Sequence, residues 1–118
     1  MDAASARRAL LPTRPNPEAR LDYVVTLAGS LPGGIAVTVR YVPDRLLLDA
    51  GAFAAYLAAF GTPAGVEELA VAVLADLNDV LVARWLHVAA TSGAHGAVVE
   101  DRQPRWNNTA LLQRLERI

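Results

Sequence analysis

The stretch Thr62-Pro63-Ala64-Gly65-Val66-Glu67-Glu68, continuing as Leu69-Ala70-Val71-Ala72-Val73-Leu74-Ala75-Asp76-Leu77, governs how the rest of the chain is read. It predicts the start of the longest helix, running to about Val82. Thr62 can act as N-cap, and Pro63 suits the first helical position because its missing N–H would be unpaired there anyway. From Val66, the residues Ala70, Val73, Leu77 and Val80 recur at helical spacing and form a core-facing stripe. Glu68, Ala72, Ala75, Asp76 and Asp79 fall on a different face, small and acidic. Glu67-Glu68 then has two readings. One is a solvated first-turn pair helped slightly by the helix dipole; the other is a carboxylate pair that meets a ligand.

Outward from this helix, the chain predicts alternating and helical segments in a simple order. Leu21–Ala28 and Ile35–Val42 alternate apolar and other residues, and Gly29–Gly34 between them has turn composition, so they form an antiparallel hairpin. Pro43-Asp44 breaks the second strand, Leu46–Leu48 can continue it briefly, and Asp49 can cap the next helix. That helix, Ala52–Phe60, has Phe53, Tyr56, Leu57 and Phe60 on one face and many alanines, which favour helix. After the long helix, Arg84–Thr91 is a strand with Trp85, His87 and Ala89 on one face. Ser92–Gly96 turns the chain, Ala97–Glu100 is a short strand, and Asn108 or Thr109 can cap a final helix bearing Leu111, Leu112 and Leu115. Residues 1–19, with Pro12, Pro15 and Pro17, form an extended arm, ordered only where it docks; residues 20–118 form one domain. The expected class is α+β: a four-stranded antiparallel sheet with two helices on one face (ββααββ), plus a C-terminal helix. The uncovered face and edges of such a sheet call for cover, and in so short a chain the expected cover is another subunit.

Composition narrows the function. With 118 residues there is room for a single core, and no apolar run approaches the length of a membrane span. Leu10-Leu11 is too short for a signal peptide, so a cytoplasmic location is expected. The chain has no cysteine, which removes disulfides, thiolate nucleophiles and Cys-type zinc sites together. A net charge of −1 gives no electrostatic reason to expect nucleic acid. All 11 basic residues are arginine, so no side chain can form a Schiff base with a carbonyl substrate.

Pro15-Asn16-Pro17 before Asp22-Tyr23, then Val39-Arg40-Tyr41-Val42-Pro43-Asp44, Tyr56 and Phe60, Glu68, and Arg84-Trp85 fall in an order that resembles the NADPH-dependent nitrile reductases acting on 7-cyano-7-deazaguanine in queuosine biosynthesis. The resemblance spans roughly residues 15 to 99. It implies the tunnelling fold, in which subunits join their sheets into a barrel. The family's reactive groups do not carry over. Thr26 stands where the resemblance places the nucleophilic cysteine, Gly33 where it places the proton-transferring aspartate, and Asp49–Tyr56 replaces the lysine-bearing cofactor segment. The family's His-Glu pair becomes Glu67-Glu68. Of that set only the glutamate, which in the family grips the N–H edge of a planar ring, is kept as Glu68. A thioimide route is chemically impossible here, and no cofactor is expected.

The candidate catalytic residues are therefore Glu68, His87 and His95, and the candidate ligand-binding residues Glu68, Glu67, Thr26 and Trp85. Glu68 can accept two N–H bonds from a flat heterocycle. His87 reads either as a packed strand histidine or as a proton-transfer group. His95 reads as an exposed turn residue or a mobile acid or base. Trp85 is either a packing residue or a stacking platform. No metal site is expected, since no HxH or HExxH spacing supports one. Two classes of function remain. One is a non-redox enzyme that performs acid–base condensation or cyclisation of a planar aromatic or heterocyclic amine, of Pictet–Spengler type for example, in a homo-oligomer with pockets at subunit interfaces. The other is a catalytically inactive binding or structural subunit of such an oligomer. Neither involves nucleic acid or a membrane.

Overall fold

A computed structural model describes residues 2–115. In chain order the elements are helix α1 (Ala3–Arg8), strands β1 (Thr13–Pro15), β2 (Val25–Ser30), β3 (Ala36–Val42) and β4 (Leu46–Leu48), a 3-10 turn at Ala50–Ala52, helices α2 (Phe53–Ala58) and α3 (Val66–Leu81), strands β5 (Trp85–Ser92) and β6 (His95–Arg102), and helix α4 (Thr109–Leu115). The class is α+β. The main sheet is four-stranded and antiparallel in the order β2-β3-β5-β6, and β1 pairs with β4 in a separate two-stranded ribbon. No helix among the described residues is long and apolar enough to cross a membrane.

The alternation within each strand decides what faces the helices. Leu27, Val37, Val39, Tyr41, Leu86, Val88 and Ala90 are buried on one face. Against them pack Phe53, Tyr56 and Leu57 of α2 and Val66, Leu69, Ala70, Val73, Leu77 and Leu81 of α3. α2 lies very close to β2: a Cβ added at Gly29 would come within 2.8 Å of Leu57 Cδ1, so only glycine permits the approach. The β5–β6 connection is a two-residue turn, Gly93-Ala94, with Ser92 opposite His95. Gly93 takes φ +59° while Ala94 stays in the ordinary region, which is what a II′ hairpin turn requires.

Several boundaries differ from the sequence expectation, each for a physical reason. α3 starts at Val66 rather than at Pro63, with Gly65 extended at the N-cap position and no side-chain cap. With no side chain at Gly65, the Glu67 and Glu68 carboxylates lie back over the helix start instead. The first sheet strand starts at Val25 rather than Leu21, because Asp22 is drawn off by hydrogen bonds to Arg84, Trp106 and Asn108. The last strand is longer than Ala97–Glu100, and His95 belongs to it rather than to a glycine-flanked turn.

The N-terminal arm is not simply extended. Asp2 caps α1 by accepting from the Ser5 amide at 2.8 Å. Thr13–Pro15 then pairs with Leu46–Leu48, a place where proline is tolerated because the ribbon has free edges. What holds α1 down is Asp76, expected on the small, acidic face of α3 away from the core stripe and found only 1% exposed. Its carboxylate accepts from Arg7 Nε at 2.8 Å, Arg8 Nε at 3.1 Å and the Tyr56 hydroxyl at 2.7 Å. The Arg7 guanidinium also lies 4.4 Å over the Phe60 ring. Burial, reinforced by the neighbouring carboxylate, pushes the Tyr56 hydroxyl well above the usual phenol range, so it stays a donor.

Candidate functional site

The face of the main sheet turned away from α2 and α3 carries one polar row. Thr26 pairs with Arg40, Arg40 with His87, and His87 with Glu100, so the four side chains run across all four strands in register. Beside this row, Trp85 sits opposite Arg102. The period-two alternation of each strand aims these residues at one side. Their meeting depends on the pairing register.

Trp85 and His87, two residues apart on β5, stack with ring centroids 5.5 Å apart and planes inclined by 28°. The Trp85 indole Nε1 donates to Glu100 Oε2 at 2.7 Å, and Arg102 donates to Glu100 Oε1 at 2.9 Å. Both carboxylate oxygens are therefore engaged. The indole N–H, aided by Arg102 and His87, holds the Glu100 carboxyl below the usual range against the opposing effect of partial burial. His87 is shifted the other way. Burial pushes its imidazole down, the Arg40 guanidinium adds to that, and Glu100 only partly offsets it. At neutral pH the ring is uncharged. Its Nδ1 is buried with no hydrogen-bond partner among the described residues.

α4 roofs one end of this face. Asn108 caps it by accepting from the Leu111 amide at 3.1 Å, which settles the choice between Asn108 and Thr109. Asn108 and Trp106 both donate to Asp22 Oδ2, at 3.0 and 3.2 Å, and so fix the segment leading into the helix. Asp22 is in turn held by Arg84, 3.1 Å away. Beneath α4 lies a cavity of about 300 Å³ lined by Arg40, Trp85, His87, Glu100, Arg102 and Leu112. A second hollow of about 460 Å³, bounded by Tyr23, Val24, Thr26, Arg40 and Leu111, opens beside it. Arg40 and Leu115 form part of both walls. Volumes of this size suit a small organic ligand.

The expected site residues thus divide into two groups. Trp85, His87 and Thr26 share the sheet face beneath α4. Glu67, Glu68 and His95 lie on the other side, around the first turn of α3 and the start of β6. There His95 Nε2 is 2.9 Å from Glu67 Oε2, with the two side chains 65% and 57% exposed. The amide at the helix start, then His95, holds the Glu67 carboxyl below its usual range. Glu68 is exposed and folds back over Gly65, where an added Cβ would meet its Oε2 at 2.9 Å. That is a helix-start position for a carboxylate. With Val71, Ala72 and Ala75 it borders only an open groove on the outer face of α3. Within one chain, Glu68 and His87 cannot share a ligand.

Arg40, Glu100 and Arg102 were not expected as site residues. Arg40 did leave a signal, a charge in the middle of the otherwise apolar and β-branched strand Ile35–Val42. Glu100 left none, because which residue stands opposite His87 is set by the hairpin turn. Among the described residues no group of three or more His, Asp or Glu is placed to hold a metal ion. No known protein-family model matches the chain, and no curated protein matches it significantly.

Proposed function

We propose that this chain is a subunit of a tunnelling-fold homo-oligomer that binds a planar aromatic or heterocyclic amine and acts on it by acid–base chemistry without redox. The observation that carries the proposal is His87: a neutral, partly desolvated imidazole, stacked on an indole, in the wall of a ligand-sized cavity. A general base is most useful when it is unprotonated near neutral pH and shielded from water, and burial beside Arg40 favours that state. A flat ring entering the cavity can extend the Trp85–His87 stack. The imidazole can take a proton from an ammonium or ring N–H and return it to a later intermediate, which are the steps a condensation or cyclisation needs. Glu100 is less suited, since both its oxygens already accept hydrogen bonds.

The tunnelling arrangement is supported by the consecutive antiparallel order β2-β3-β5-β6 with two helices on one face. It is supported further by the free edge of β2, Val-Thr-Leu-Ala-Gly-Ser, which has no charge or proline to prevent strand pairing. In this proposal the base moves from Glu68 to His87, while Glu68, Glu67 and His95 can serve only where a neighbouring subunit completes their surroundings. The test has two parts. Light scattering should give a mass several times 12.5 kDa, and a stable monomer would remove the tunnelling arrangement. A thermal-shift screen of planar amines and purine-like rings should yield a ligand that is turned over. His87→Gln should slow turnover at saturating ligand by about 10²–10⁴-fold. Failure of every planar amine, or parental turnover by His87→Gln, would refute the function.

A further inference from the structure

We infer that the ligand of the cavity beneath α4 carries a carboxylate, and that Arg40 is the group that binds it. The inference rests on the preceding reading of this cavity as the ligand site and adds the charge its ligand must have.

The ionisable groups around the cavity are almost all engaged with one another. Glu100 is held by Trp85 and Arg102. Arg102, besides that bond, leans over the Trp106 ring at 5.9 Å. At the rim, Asp22 is taken up by Arg84, Trp106 and Asn108. Two arginines stand apart: Arg114, exposed on α4 at the edge of the second hollow, and the half-buried Arg40. Arg40 makes no hydrogen bond or ion pair among the described residues, although it stands in an inner strand of the sheet. Its row neighbours are Thr26 and His87, neither of them an anion. A guanidinium presents a planar fork of donors and keeps its charge at any working pH, so an inner-strand position without a counterion is unfavourable until an anion arrives.

Position adds to this. Arg40 lies in the shared wall of the two hollows, so an anion held there leaves the attached ring free to lie beside Trp85 and His87. The Thr26 hydroxyl on the neighbouring strand supplies another donor at the same level. One arginine and one hydroxyl match a singly charged, planar acceptor, which is a carboxylate. A phosphate monoester, nearly doubly charged at neutral pH, would call on the exposed Arg114 across the second hollow as well as on Arg40. The neutral state of His87 fits the same arrangement. Arg40 disfavours a cation on the imidazole, and a carboxylate bound between them would relieve that repulsion and make the imidazole a stronger base.

The experiment is a calorimetric titration of the full chain with three indoles of one ring system: indole-3-acetate, tryptamine and tryptophan. Indole-3-acetate should bind about ten- to a hundredfold more tightly than tryptamine, the gain from one charge-assisted contact, and tryptophan should also bind more tightly than tryptamine. In Arg40→Gln the advantage of indole-3-acetate should fall below about threefold. The comparison within the parent protein stands even if that variant folds poorly. Equal or tighter binding of tryptamine by the parent would overturn the inference, and so would a folded Arg40→Gln that keeps the full preference. Adenine, a planar amine without a carboxylate, separates the two proposals. If adenine binds and indole-3-acetate has no advantage, the carboxylate falls and the acid–base reading survives. If none of the four binds, both fall.

Discussion

Replacing Asp76 with asparagine tests the account of how the N-terminal segment is fastened. The side chain keeps its volume, but one acceptor oxygen becomes an NH2 that faces the donors Arg7, Arg8 and Tyr56. Removing one partner of a buried ion pair costs about 3–5 kcal/mol, because the remaining charge is left uncompensated. The side chains of Arg7 and Arg8 retain 16% and 32% exposure, so water recovers part of their solvation. The expected loss is therefore about 2–4 kcal/mol, equivalent to more than about 6 °C in Tm for a domain of this size. Urea unfolding followed by circular dichroism measures it, at one fixed protein concentration because an assembly's stability depends on concentration. The combined variant Arg7→Met, Arg8→Met, Tyr56→Phe, Asp76→Leu, which also removes the hydroxyl that donates to Asp76, should regain at least half of the loss, since an apolar replacement of a whole buried polar cluster is often near neutral. A stability for Asp76→Asn within about 0.5 kcal/mol of the parent, the range of an ordinary surface change, would refute the buried-anchor account.

Two further outcomes rest on particular residues. The folded-state pKa of His87 is depressed, so the unfolded chain binds its proton more readily; stability holds above the ordinary imidazole value of about 6.5 and falls as pH drops through it towards the folded value. Urea midpoints from pH 8 to 5 should show this slope in the parent and a flatter one in His87→Gln, and superimposable curves would contradict it. Val82 ends α3 with φ +47°, a left-handed conformation costly for a β-branched residue, and its side chain is 61% exposed. Val82→Gly should raise stability by about 1 kcal/mol, measured by thermal unfolding, and a decrease would show that the turn carries no strain.

The sequence carried the element order well because its periodicities are strong. The alternation of Ile35–Val42 and the helical repeat of Val66, Ala70, Val73 and Leu77 each point to one core face, and the structure buries those faces. It carried the ends poorly, because ends depend on distant partners. Asp22 leaves the strand pattern only on account of Arg84 and Asn108, which come 62 and 86 residues later. Asp76 illustrates the same limit within a helix. By spacing it belongs beside Ala72 and Asp79 on a polar face, and nothing local shows that Arg7 and Arg8 will cover it. The candidate site was half legible. Trp85 and His87 share a face by parity alone, whereas the placing of Arg40 and Glu100 beside His87 is a matter of register across three strand pairings.

The same anchor has a kinetic side. The bond from Arg7 to Asp76 spans 69 positions, and α1 is only six residues long. Isolated helices below about 12–15 residues are marginal in water, so α1 has no stability until α3 and the Tyr56–Phe60 pair are already assembled. Interactions that close after the rate-limiting step leave the folding rate unchanged and act on unfolding instead. The short N-terminal helix is in this sense placed as a clasp: loosening it, as in Asp76→Asn, is expected to quicken unfolding and leave the folding rate unchanged.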